Sequence, residues 1–123
     1  MTIAKSSVEV LASTSVAAGS SKASPDVTGS AIDCRAYYGG EITWKITNGS
    51  SAPGAAGAIT IQDSPDGTNW YDYQTVGGDT TASSVTSGSI RLDDGVMYLR
   101  AIAYGNTTNA VTVEVNLQAV TGL

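Results

Sequence analysis

The chain contains no histidine and no phenylalanine, a single cysteine, and only 14% charged residues. Each absence narrows what it can do. Without histidine no side chain titrates ordinarily between pH 5 and 8, and Ser-His-Asp and Cys-His machinery are ruled out. A lone cysteine, Cys34, allows no intrachain disulfide, and without histidine beside it a Cys/His zinc site lacks ligands. Six Lys and Arg against eleven Asp and Glu give a net charge of −5 and a pI near 4.3. Nucleic acid and anionic membrane surfaces both call for clustered cations, so neither is expected as a partner. No apolar run approaches the ~20 residues of a membrane helix; Val96 to Leu99 stops at Arg100. The start, Met1-Thr2-Ile3-Ala4-Lys5-Ser6-Ser7, lacks the apolar segment of a secretory signal, so the expectation is a chain made and used in a host cytoplasm, or released from one without secretion.

What remains is a chain of 123 residues, suited in length to one domain, with 41% hydrophobic residues and fourteen glycines. Its apolar residues alternate with polar ones, the period of half-buried strands. In Ala110 to Val120, Val111, Val113, Val115, Leu117 and Ala119 share one face. Thr112, Glu114, Asn116 and Gln118 share the other. Glu41 to Thr47 sets Ile42, Trp44 and Ile46 inward, and Ala58 to Gln62 does the same with Ile59 and Ile61. Trp70 to Val76, Ser89 to Leu92, Ala31 to Tyr37 and Val8 to Val16 add further segments. Val96 to Tyr104 carries bulk on both faces, which suits a central strand or a face used as an interface. About eight short strands separated by turn residues predict an all-β, antiparallel two-sheet sandwich, jelly-roll-like or Ig-like.

The connections are rich in residues that reach positive φ cheaply: Gly39-Gly40, Asn48-Gly49, Asp66-Gly67, Gly77-Gly78 and Asp94-Gly95. Asp94-Gly95, between two short strands, reads as a hairpin. Residues 17 to 30 are small and polar with Pro25 among them, a long loop. Within a single domain of residues 1–123, residues 1–30 thus read as an extended N-terminal arm and loop that could pack on a neighbour.

Catalytic chemistry finds little purchase. A two-carboxylate glycosidase needs paired acids, but Asp63, Asp66, Asp79, Asp93 and Asp94 sit in turn contexts that explain them without catalysis. The expectation is a protein that is not an enzyme and uses no cofactor. Asp63-Ser64-Pro65-Asp66-Gly67 offers carboxylates for calcium, yet Pro-Asp-Gly is also a plain turn sequence. Trp70, Tyr71 and Tyr73 would make a ledge for stacking on sugars if exposed; with no phenylalanine, the aromatics are also needed for packing. Asn48-Gly49-Ser50 and Asn106-Thr107-Thr108 match the glycosylation pattern and read better as turns. Cys34, in an alternating apolar segment, reads as a packing residue.

Three segments resemble small accessory proteins of tailed-phage virions, of the kind that decorate or cement capsids. They are Ala31-Ile32-Asp33-Cys34 with Tyr38 through Gly49, Ile59 through Trp70 with its D-G-x-x-W turn, and Val96-Met97-Tyr98-Leu99-Arg100 ahead of the final Val-rich strand. The resemblance covers roughly residues 30–120. It implies a virion location, a structural role through protein–protein contacts with the major capsid protein or other virion proteins, and a homo-oligomer such as a dimer or trimer. Candidate contact residues are Val8 and Val10 in the first strand, Tyr98, Ile102 and Tyr104 in the two-faced strand, and Leu123 in the tail. A carbohydrate-binding module using Trp70, Tyr71 and Tyr73, or a tail or neck component, are the alternatives.

Overall fold

A computed structural model describes residues 2–123, and among them there is no helix. Nine strands form two antiparallel sheets: β1 (Ala4–Val16), β2 (Val27–Thr28), β3 (Ile32–Asp33), β4 (Gly40–Asn48), β5 (Ala58–Ser64), β6 (Tyr71–Gly77), β7 (Val85–Leu92), β8 (Tyr98–Tyr104) and β9 (Val111–Gly122). One sheet has the order β1-β9-β4-β7; the other runs β2-β8-β5-β6, with β3 also on β8. The pairings nest, first strand with last, β2 and β3 with β8, β4 with β7 and β5 with β6. That is the jelly-roll solution, two Greek keys wound into a sandwich.

Alternation does the folding work. Ile42 and Ile46 of β4, with Val113, Val115 and Leu117 of β9, face Ile59 and Ile61 of β5 and Leu99 of β8 across the sandwich, all essentially inaccessible. Burying each such side chain contributes about 1.5–3 kcal/mol. Trp44 lies at the open side of this core against Gly88 of β7, where a Cβ would sit 3.0 Å from the indole. At the start of β4, Gly39 (φ +79°) and Gly40 (φ +154°) carry the chain from one sheet to the other. A Cβ on Gly40 would lie 2.2 Å from the Gln118 carbonyl, so no other residue fits without backbone movement.

Several expectations are corrected. Asp94-Gly95 makes no hairpin: β7 lies in one sheet and β8 in the other, so Asp93–Met97 crosses between sheets. The only pair of consecutive strands joined as a hairpin among the described residues is β5–β6. Of Ala31–Tyr37 only Ile32–Asp33 is extended, because Tyr37 N donates back to Cys34 O in a turn. Positive φ occurs at Gly39, Gly40 and Gly67 as expected, but not in the Asn48-Gly49, Gly77-Gly78 or Asp94-Gly95 pairs. Two non-glycines, Ser83 and Thr108, adopt it instead.

Residues 4–16 are laid along β9 as an edge strand with ten paired positions, and Val10, Leu11 and Val16 enter the core. Residues 17–30 are tied down as well. Ala17 N donates to Asp26 Oδ2, Gly19 N to Asn106 O and Gly29 N to Ala101 O, and Lys22 forms an ion pair with Asp72 on β6. Since β2 and β6 are opposite edges of their sheet, the segment carrying Lys22 crosses over the outer faces of β8 and β5.

Candidate binding surfaces

The strand pairings bring the starts of β1, β4, β6 and β8 and the ends of β5, β7 and β9 to one end of the sandwich. Six large apolar side chains are exposed among the described residues: Ile3, Tyr38, Tyr71, Val85, Met97 and Leu123. Five of them lie at this end; Val85 alone lies at the start of β7, at the other. Tyr38 N donates to Val120 O and Ala4 pairs with Gly122, which places Tyr38, Ile3 and Leu123 around the closing pair of β1 and β9. Beside them opens a cleft of about 420 Å³ lined by Lys5, Tyr38, Glu41, Arg91, Asp93 and Gln118, among others. Apolar rims and mixed charge of this kind suit protein contact better than they suit chemistry.

The D-G-x-x-W turn at the same end is built by Asp66. Its Oδ1 accepts from Thr68 N at 2.9 Å, Asn69 N at 2.8 Å and Ser64 Oγ at 3.0 Å, and its Oδ2 from Asn69 Nδ2 at 2.7 Å. These bonds hold its carboxyl well below the usual carboxylate range. Its oxygens are thus already engaged as the clasp of a turn, with Gly67 (φ +79°) completing it. Nearby, Asp33 accepts a bidentate pair from Arg35 and the Arg35 N–H, which lowers its pKa to about 2. The Arg35 guanidinium also lies 5.2 Å from the Tyr98 ring centroid.

The three aromatics proposed as a ledge part company. Trp70 precedes β6, and its ring carries the Arg100 guanidinium at 4.4 Å. Arg100 Nε donates to Gln62 Oε1 (2.8 Å), Gln62 Nε2 to Asp72 Oδ1 (3.2 Å), and Asp72 pairs with Lys22, a polar chain across the outer face of the second sheet. Tyr73 sits at a bulge opposite Ile61/Gln62. Its hydroxyl donates to Arg91 O (3.0 Å) and accepts from Asp93 N (3.1 Å), bridging the two sheets. Only Tyr71, 62% exposed, is free.

The expected contact residues divide in the same way. Val10 and Ile102 are each 3% exposed in the single chain and offer no surface; Val10 belongs to the core, and Ile102 lies on the outer side of the central strand β8. Val8 packs on the core edge. Tyr98 and Tyr104 are half-buried, and the Tyr104 hydroxyl bonds with Thr60 Oγ1 at 2.7 Å, itself bonded to Thr75. Leu123 is exposed. Both sequon asparagines are buried anchors at the opposite end. Asn48 donates to Asp79 and Thr81, and Asn106 to Val16 O and Asn109 O. Cys34 is buried and its thiol is pushed up to about 11 by desolvation, so it stays protonated at neutral pH. Of the exposed apolar side chains at this end, Leu123 was among the expected contact residues, whereas Ile3, Tyr38 and Met97 escaped the sequence because each sits outside an alternating segment or at its tip.

No family model and no curated protein matches the chain. Solved structures match in fold. The PBSX exported protein XepA aligns with a TM-score of 0.58 at 13% identity, over 96% of this chain and 38% of its own. A mutant family 29 carbohydrate-binding module aligns at 0.53 and 7% identity, over 96% of this chain and 87% of its own. A capsid protein of equine rhinitis A virus aligns at 0.53 and 10%, over 94% and 71%. The chain spans only 38% of XepA and 60% and 61% of two adhesin domains of Lys-gingipain that it also resembles. At these identities the likeness is one of fold: the chain is a β-sandwich of an architecture shared by binding modules and structural proteins.

Proposed function

We propose that the chain is a virion structural protein that decorates or cements a phage capsid through protein–protein contacts, and that it is not an enzyme. The observation that carries the reading is the gathering of Ile3, Tyr38, Tyr71, Met97 and Leu123, exposed in the single chain, at one end of the sandwich. That end is the contact face, its apolar anchors ringed by Arg35, Arg91, Asp93 and Asp94. The partner is the major capsid protein or another virion protein, and no cofactor is needed, because binding the assembled shell in preference to its free subunits stabilises it by mass action. The sequence resemblance supports this reading, and the jelly roll is an architecture that capsids use.

The test is mass spectrometry of purified virions from a genome that encodes the chain. Copies comparable in number to the major capsid protein are expected. A handful of copies per particle would assign it to a neck or tail, and absence would end the virion reading. Binding to sugars through Trp70, Tyr71 and Tyr73 gains nothing from the geometry, with Trp70 under Arg100 and the Tyr73 hydroxyl engaged. Binding on a glycan array, abolished in Tyr71→Ala, would reinstate it.

A further inference from the structure

Four edges bound the two sheets, and three are blunted against further pairing. The β1 edge is broken by three register shifts and carries Lys5 and Glu9. The β6 edge holds a bulge and Asp72, and the β2 and β3 pieces are two residues each. Strand β7 has none of these devices. It pairs with β4 over eight successive positions without a shift, contains no proline, and reads Val85-Thr86-Ser87-Gly88-Ser89-Ile90 before its first charge at Arg91. Long, regular, uncharged edges are templates for another strand.

The hydrogen-bond phase of this edge is fixed by two contacts. Asn48 N donates to Ser84 O, so Ser84 and every second residue after it point their backbone groups at β4. Val85, Ser87, Ser89 and Arg91 therefore point theirs outward. The Tyr73 hydroxyl bond to Arg91 O and the bond it takes from Asp93 N agree, since both groups face away from β4. Tyr73 thus caps one end of the edge, leaving Val85, Ser87 and Ser89 as open rungs.

We propose that β7 pairs antiparallel with β7 of a second copy of this chain across a two-fold axis centred on Ser87. This register uses all three open rungs and sets Ser87 against the partner's Ser87 and Val85 against the partner's Ser89. Every side chain in that contact is small or uncharged. Arg91 then lies opposite residue 83 of the other copy, beside the turn in which Asp79 accepts from Ser84 Oγ, so each end of the ladder matches a cation with a carboxylate. A parallel pairing would bring like ends together. The result is one continuous sheet of eight strands through both copies, an isologous contact. The β7 edge runs along the side of the sandwich rather than across its apolar end, so dimerisation and capsid binding are separable.

Sedimentation velocity on the full chain across a dilution series tests this. The expected species has twice the 12.5 kDa chain mass and dissociates on dilution. Ser87→Pro removes an N–H that makes no bond within the chain, so it should leave the fold intact and weaken the dimer about tenfold or more. Ser87→Lys keeps the N–H and sets two ammonium groups together at the axis, with the same outcome expected. Ser6→Lys, on the β1 edge, should leave the dimer unchanged. A wild-type monomer at every concentration overturns the proposal, and so does a dimer that survives Ser87→Lys.

Discussion

At the scale of single residues, the structure separates glycines that are needed from glycines that are convenient. Gly40→Ala must push a Cβ into the Gln118 carbonyl, which belongs to the central strand β9 and cannot move without disturbing both its neighbours. Its expected cost is about 3 kcal/mol or more. Gly19→Ala meets nothing within 4 Å, and only its φ of +96° is strained, so about 1–2 kcal/mol is expected. Urea denaturation of the two variants measures the difference. Carboxylates provide a second residue-scale prediction. Asp33 is held by Arg35 at about 2, below its ordinary 3.8, and Asp66 is lowered by the donors of its turn. Because both folded values lie below the unfolded ones, their stabilisation is complete above the unfolded value of about 4 and fades as the pH falls from there toward about 2. Urea midpoints should accordingly decline over that range and stay flat from pH 5 to 7. Asp33→Asn should flatten part of the decline; an unchanged slope would show that the clasp with Arg35 contributes nothing.

At the scale of elements, β1 is where sequence reading and structure diverge most usefully. An extended N-terminal arm would detach without loss to the domain. The structure instead puts Val10, Leu11 and Val16 among the buried residues and pairs β1 along β9. Val10→Ala should therefore cost about 2 kcal/mol, and deletion of residues 2–16 should abolish cooperative melting rather than merely weaken a contact. Retention of a sharp melting transition in the truncated chain would restore the arm. Much of the fold was legible because alternation is local: β4, β5, β8 and β9 lie close to where their apolar residues repeat every second position. What was not legible depends on distant partners. Asp94-Gly95 carries the local marks of a turn, but the sheet that the next strand joins is decided by Leu99, Ala101 and Ala103 finding β5. The aromatic ledge failed for a similar reason. The bulge at Tyr73 breaks strict alternation within β6, and Arg100, thirty residues away, covers Trp70.

For the molecule as a whole, the nested pairing has a consequence for how it presents itself. First and last strands are neighbours, so Ile3 and Leu123 emerge together at the apolar end, beside Tyr38. The opposite end is closed by polar turns, where Asn48 and Asn106 are buried as anchors and Gly54 N bonds to Thr107 O. The two ends are thus chemically unequal, and a bulky addition should act differently at each. If the apolar end is the capsid contact face proposed above, a compact domain fused after Leu123 should cover it and reduce co-sedimentation with capsids about tenfold or more, while leaving the melting temperature unchanged. The same domain inserted between Ser50 and Ser51, both exposed in the opposite loop, should leave binding intact. A double substitution, Tyr38→Asp with Met97→Asp, should reproduce the C-terminal fusion without added bulk, because it places charge on two apolar contacts and touches no core residue. If the inserted domain blocks binding and the fusion does not, the contact face is the polar end, and the exposed apolar cluster serves another purpose.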